Sequence, residues 1–366
     1  MVLTKEIVYK AIRDFFTSNP SPLVIFGTGM SCAIDVDFGM NKLNSQLQSE
    51  MPKKINGQKE LEKEWNKVVG SLKGGIDLES SLDHVHNSAL ISLVVEITGN
   101  LIAQLDKKYS YQILNGTKVW PATDFFMRLV DGLPESDRKL HVITPNYDML
   151  AEYAFENVGI KYINGFSGCL IRKVDWSQAR NSVSYLEKII RNNKLQNKAN
   201  EFKHIELHKV HGSLNTFFHK DEVIEVNSWI HKPPNNIERV IITPGVSKYE
   251  KISCFRKELL EKFDKAIEIK DSFIFLGYGF NDKHIENYVI QKLINQKCHG
   301  IIITRDCNKK IEAILEKAAN LWLVCKQESN NFTRIKNKNY EDWLFLNSKS
   351  LWNIEEFTKE ILEVNL

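Results

Sequence analysis

Seven short, mostly apolar runs punctuate this chain of 366 residues, and they constrain its fold more than any other feature. They are LVIF (Leu23 to Phe26), LHVIT (Leu140 to Thr144), IELHKV (Ile205 to Val210), RVIIT (Arg239 to Thr243), SFIFLGYG (Ser272 to Gly279), GIIIT (Gly300 to Thr304) and LWLVC (Leu321 to Cys325). Short apolar runs bounded by turn residues read as strands buried on both faces. Helical segments are predicted after most of them, over residues 148–157, 248–268, 282–295 and 308–319. Strands alternating with helices predict an α/β fold: a Rossmann-like, doubly wound, mainly parallel sheet. A further helix is predicted over residues 5–17, stopped by Ser18, Asn19 and Pro20.

Two stretches interrupt this framework. Residues 40–120 are polar and Lys-rich, then strongly helical from about Leu78 to Tyr109, with Leu82, Val85, Ala89, Leu93 and Ile97 along one face. Residues 168–203 read as a second polar, helical stretch. The expected organisation is a catalytic domain over 1–325 carrying helical insertions at about 40–120 and 168–203. A C-terminal extension over 326–366 follows, ending in an amphipathic helix at LWNIEEFTKEIL.

Composition excludes several classes. The net charge is only +3, so no basic field predicts direct nucleic-acid binding, and the Lys-rich segment 297–340 reads as a solvated face. Ala89 to Leu105 is apolar but contains Glu96, Asn100 and Gln104, which predicts a buried helix and no membrane span. The N-terminus lacks an apolar signal core, so a soluble, cytoplasmic protein is expected. The six cysteines include no CxxC pair, which argues against a zinc ribbon or a disulfide scaffold. His204 and His208 fall four apart in a strand, roughly 13 Å from each other, too far to share an ion. No metal site is predicted.

Ligands of a doubly wound sheet bind at the carboxyl ends of its strands. Gly27-Thr28-Gly29-Met30-Ser31 follows the first run, and Pro145-Asn146-Tyr147-Asp148 the second. His211-Gly212-Ser213 follows the third, Pro244-Gly245 the fourth, and Gly277-Tyr278-Gly279-Phe280-Asn281-Asp282 the fifth. Glycines let a backbone approach a phosphate, although Cys32 stands where a full GxGxxG has its third glycine. Asp148 suits a helix cap, which leaves the Asn146 amide available to a ribose or a water. His211, before Gly-Ser at the same rim, suits a general base.

In order, FGTGMS, TPNYD, HGS and GYGFND resemble the sirtuin superfamily, particularly the sirtuin-like domains of bacterial antiviral defence systems, over residues 22 to about 305. The resemblance implies a cofactor-binding set of Gly27, Thr28, Gly29, Ser31, Asp148, Gly212, Ser213, Gly277, Tyr278, Gly279 and Phe280. Within it, Gly27, Gly29 and Ser31 would meet the NAD phosphates, Asp148 the nicotinamide riboside, and Gly277 and Gly279 the adenosine side. Asn146 and His211 would be catalytic.

Two departures bear on the reaction. The two CxxC pairs that follow HG in deacylating sirtuins are missing, and Asp37-Phe38 is followed by Gly39 where Arg is usual. The zinc-bearing small domain would then be replaced by helices. The resemblance therefore implies an NAD⁺ glycohydrolase with NAD as substrate and no zinc, acting as a defence effector that depletes NAD⁺ on phage infection. It also implies a homo-oligomer and a controlling partner such as a HerA-type DNA translocase or an Argonaute-like protein. A deacylase, an ADP-ribosyltransferase and a non-catalytic NAD or ADP-ribose sensor stay open as alternatives. A dehydrogenase is disfavoured, because Gln46 and Gln48 stand where an acidic residue would hold the ribose.

Overall fold

The computed structural model describes residues 3–191, 194–235, 237–241 and 253–363. Nine strands form the central sheet: β1 (Leu23–Phe26), β2 (Lys139–Thr144), β3 (Tyr162–Ile163), β4 (His204–Lys209), β5 (Ser272–Leu276), β6 (His299–Thr304), β7 (Leu321–Lys326), β8 (Thr333–Asn337) and β9 (Leu344–Leu346). Their order is β9-β8-β7-β6-β5-β1-β2-β4-β3. The block β4-β2-β1-β5-β6-β7 is entirely parallel. It reproduces the doubly wound order in which the chain first winds outward one way from β1 and then returns to wind the other way. The turning point lies between β1 and β5, and the crevice outside their carboxyl ends is where such sheets bind ligands.

Both faces of this block are covered, as uninterrupted apolar runs require. Val24 and Phe26 enter one core, while Leu23 and Ile25 enter the other. The first core lies under helices Lys5–Ser18, Met40–Ile55, Ser88–Leu114, Thr123–Asp131 and Leu150–Val158, where Trp120 stacks on Phe126 at 5.6 Å. The second lies under Ser253–Glu268, Lys283–Asn295 and Lys309–Leu315.

The first insertion is helical as expected. Leu43, Leu47, Met51 and Ile55 bury one stripe of Met40–Ile55, and Leu61, Trp65 and Val68 do so for Lys59–Lys73. The long helix predicted from Leu78 divides into Leu78–Leu82 and Ser88–Leu114, because Asn87 Oδ1 accepts from the Ala89 amide (2.9 Å) and starts a new helix. Ser88–Leu114 is long and apolar enough to cross a membrane, yet 56% of its apolar window is buried within the protein. Its Asp106 is fully buried, accepting from the Tyr153 hydroxyl (2.7 Å) and the Met149 amide (2.8 Å). These contacts are those of a core helix.

Three expectations are corrected. Residues 168–203 are not a helical stretch: they hold the strand Arg172–Val174, one short helix (Trp176–Asn181) and a hairpin of Ser184–Arg191 with Lys194–Glu201. Polar residues that face water on both sides of a two-stranded ribbon leave no burial period to distinguish it from a polar helix. The RVIIT segment forms the strand Glu238–Ile241, but it pairs antiparallel with Gly212–His219 in a second, five-stranded sheet. The rest of that run, with Pro244 and Gly245, lies outside the described residues, as does the start of the helix predicted from Lys248. The sheet does not close at LWLVC: within the C-terminal extension β8 adds antiparallel to β7 and β9 antiparallel to β8, and Phe357 from the closing helix Ile354–Phe357 packs against Phe16 and Phe125.

Candidate functional site

The loops after β1 and β5 meet first. The Gly29 amide donates to the Gly277 carbonyl (3.0 Å), and the Gly27 amide to the Leu276 carbonyl (2.9 Å). A Cβ on Gly29 would lie 2.7 Å from Gly277 Cα, and Gly277 itself has φ +51°. These glycines are thus required by each other, backbone against backbone, as much as by any ligand. Thr28 is exposed at the tip of the loop.

Ser31 then turns toward the end of β2. Asn146 Nδ2 donates to the Gly27 carbonyl (3.0 Å) and to Ser31 Oγ (3.0 Å), and Ser31 Oγ donates to Asp148 Oδ2 (2.7 Å). Asp148 Oδ1 accepts weakly from the Leu150 amide (3.3 Å) at the head of Leu150–Val158, so a capping role coexists with the polar one. Burial pushes the Asp148 carboxyl up to about 6 against the opposing influence of Lys209 and Ser31. Lys209 is itself buried, with Nζ on the Asp148 carbonyl and 2.7 Å from Glu152 Oε1. The Asn146 amide oxygen is buried without a hydrogen-bond partner among the described residues. A buried acceptor in that state marks a place where a donor is missing.

His211 completes the site from the far side. Its Nε2 lies 2.8 Å from Asp282 Oδ2, with both side chains largely buried. His211 follows β4 and Asp282 follows β5, and these strands are separated by β1 and β2, a span of roughly 14 Å at normal strand spacing. The contact therefore bridges the carboxyl ends of β1 and β2, where Gly27, Ser31, Asn146 and Asp148 are gathered. Sequence reasoning passed over Asp282. It stands at the start of a helix, its carbonyl accepting from the Ile285 and Glu286 amides, and in sequence it reads as an ordinary cap.

Other expected site residues lie elsewhere. Tyr278 and Phe280 are buried in the second core, their rings 5.0 Å apart, Tyr278 stacked on Phe275 and Phe280 tilted against it. Gly212 is set by its fold position: at φ +81°, a Cβ would come 1.9 Å from the Val240 carbonyl oxygen. Ser213 Oγ is buried against Met149 Sδ (3.1 Å). Gly279 is half-buried at the rim, its carbonyl accepting from Asn308 Nδ2 (2.7 Å).

Comparison with known proteins adds the family. No curated protein matches the chain. A solved structure described as the structural basis for the mechanism and regulation of Sir2 enzymes is similar at 11% identity and a TM-score of 0.38, with 86% of this chain and 90% of that chain covered. The family model of the SIR2-like domain matches residues 140–323, half of the chain. The matched segment contains Asn146, Asp148, His211 and Asp282, the residues that converge across the sheet edge, and the chain belongs to the SIR2-like domain family.

Proposed function

We propose that this protein is an NAD⁺ glycohydrolase that cleaves NAD⁺ to nicotinamide and ADP-ribose. Membership of the SIR2-like family supports an NAD-using enzyme in general. The observation that carries the hydrolytic reading is the pairing of an unsatisfied, buried Asn146 amide oxygen with a His211–Asp282 couple over the same crevice. The bond broken joins C1′ of the ribose to the pyridinium nitrogen. Nicotinamide leaves neutral, so no acid is needed, and positive charge develops at C1′. The Asn146 oxygen accepts from the 2′- or 3′-hydroxyl or from the attacking water. Asp282 faces His211 Nε2 at 2.8 Å, leaving Nδ1 to take the proton as water adds to C1′. Asp148, ionised at neutral pH and hydrogen-bonded through Ser31, supplies negative charge beside the developing cation.

We further propose, from the resemblance of its motifs to defence-associated domains, that the cleavage serves to deplete NAD⁺ during phage infection. A cytoplasmic homo-oligomer would then be restrained by a partner such as a HerA-type translocase or an Argonaute-like protein. The decisive experiment is incubation of the pure protein with NAD⁺ and chromatography of the products. Free nicotinamide with ADP-ribose in the absence of any acceptor supports hydrolysis. Cleavage only with an acyl-lysine peptide or an acceptor protein would replace it with deacylation or ADP-ribosyl transfer, and binding without turnover would make the protein a sensor.

A further inference from the structure

We propose that His141, Glu206 and His208 bind one divalent transition-metal ion, zinc by preference, that ties β2 to β4. The inference rests on geometry away from the NAD crevice and stands whether or not NAD⁺ is cleaved.

The parallel register sets His141 of β2 beside Glu206 of β4, and His208, two residues further along, points to the same face. The ligand atoms of all three lie within 4.8 Å of one another. Glu206 Oε1 is 3.9 Å from His141 Nδ1 and 3.5 Å from His208 Nε2. An ion with bonds of about 2.0–2.2 Å to nitrogen and oxygen sits between tetrahedral donors roughly 3.3–3.6 Å apart. The Glu206–His208 pair already has that spacing, and the widest pair, within 4.8 Å, would close by up to roughly 1 Å.

Further features fit a ligand set better than an apolar filler. All three side chains are buried, with His141 5%, Glu206 3% and His208 0% exposed. His141 Nδ1 and both ring nitrogens of His208 have no hydrogen-bond partner among the described residues, an arrangement that costs stability unless something fills it. Glu206 Oε1 faces the histidines, while Oε2 lies at ion-pair distance from Lys139 (3.4 Å) and Arg180 (3.9 Å) with no hydrogen-bond partner among the described residues. The His208 ring is stacked between His141 at 5.8 Å and Trp176 at 5.7 Å, which fixes its orientation.

Two imidazoles with one carboxylate and no thiolate select the borderline divalent ions, and a water would take the fourth position of a tetrahedral zinc. His204, four residues before His208 on the same strand, is turned elsewhere: its Nδ1 lies 2.8 Å from the Phe202 carbonyl. The partner of His208 comes from the neighbouring strand. The ion would sit about 10 Å behind the rim, three residues of strand before His211. It would tie together the two strands that carry Asn146 and His211.

The test uses the full chain, purified without chelator and analysed for zinc, manganese, iron, cobalt and nickel by mass spectrometry. One equivalent of a single divalent ion is expected, with a melting temperature that falls by several degrees after treatment with dipicolinate and recovers on adding zinc. Cobalt loaded into the stripped protein should show visible d–d absorption of a site with nitrogen and oxygen donors. Glu206→Gln and His208→Gln should retain native far-UV circular dichroism while holding less than a tenth of an equivalent. If these variants misfold, the wild-type stoichiometry and cobalt spectrum decide. A wild-type chain that takes up none of the five ions on reconstitution, or folded variants that keep theirs, would overturn the proposal.

Discussion

At the scale of single residues, the His211–Asp282 contact and the Asn146–Ser31–Asp148 chain make separable predictions. Replacing a positioned base costs about 10²–10⁴ in rate, so His211→Ala should lower NAD⁺ cleavage by that factor with an unchanged circular dichroism spectrum. Asp282→Asn keeps the shape but loses the charge that faces Nε2, and should lower kcat by at least about tenfold with little change in KM. A parallel loss of NAD⁺ binding by calorimetry would instead make Asp282 a structural cap. Asn146→Ala removes contacts near the reacting ribose and should spare binding more than turnover. The comparison variant Gly29→Glu does more than repel phosphate: any side chain there collides with the Gly277 backbone at 2.7 Å. Asp148 contributes to the acid limb of the pH profile beside the His211 base: burial raises its carboxyl to about 6, so the rate should fall as pH drops through 6. Asp148→Asn should give a slow enzyme whose acid limb is shallower than that of the wild type.

At the scale of elements, the hinge between the central sheet and the second sheet is the strand Gly212–His219. Its first residue, at φ +81° and 1.9 Å from the Val240 oxygen once a Cβ is added, tolerates only glycine. Gly212→Ala should destabilise the protein by more than about 3 kcal/mol in denaturant titration, through backbone displacement rather than lost chemistry. The hairpin Ser184–Arg191 with Lys194–Glu201 predicts the opposite. Among the described residues its strands pair only with each other, and Leu186, Ile190 and Leu195 are exposed at 70%, 77% and 67%. Changing all three to Ser should move stability by no more than about 0.5 kcal/mol per site, since exposed side chains bury little area. Light scattering on the same variant tests whether these exposed side chains serve self-association. The hairpin's base differs from its tip: Arg138 donates to the Tyr185 hydroxyl (2.7 Å) and to the Glu201 carbonyl (2.8 Å), and so anchors it.

At the scale of the whole molecule, the C-terminal 40 residues are integral. β8 covers the edge of β7, and Phe357 closes the aromatic group of Phe16 and Phe125 at 6.2 and 6.4 Å. Truncation after Lys326 would expose an apolar strand edge and open the first core. The shortened chain should be insoluble or lack a cooperative melt. Soluble, active protein ending at Lys326 would show that the extension is dispensable.

The sequence by itself determined where most central strands begin and end, which strand ends carry small or polar residues, and the SIR2-like character of the chain. Strands buried on both faces leave uninterrupted apolar runs, and the small or polar residues after LVIF, LHVIT and SFIFL stand out against them. Tertiary structure alone decided which of those ends meet. His211 reaches Asp282 across two intervening strands, His141 rather than His204 stands beside His208, and Gly29 is required by Gly277 from a loop 248 residues away in the chain. It also put the RVIIT strand into the second sheet and made a hairpin of the polar stretch near 190. The reason is the range of each signal. Periodicity reports how one segment buries its own side chains, whereas the order of strands is set by how whole faces cover one another, and only that order brings side chains from separate segments within bonding distance.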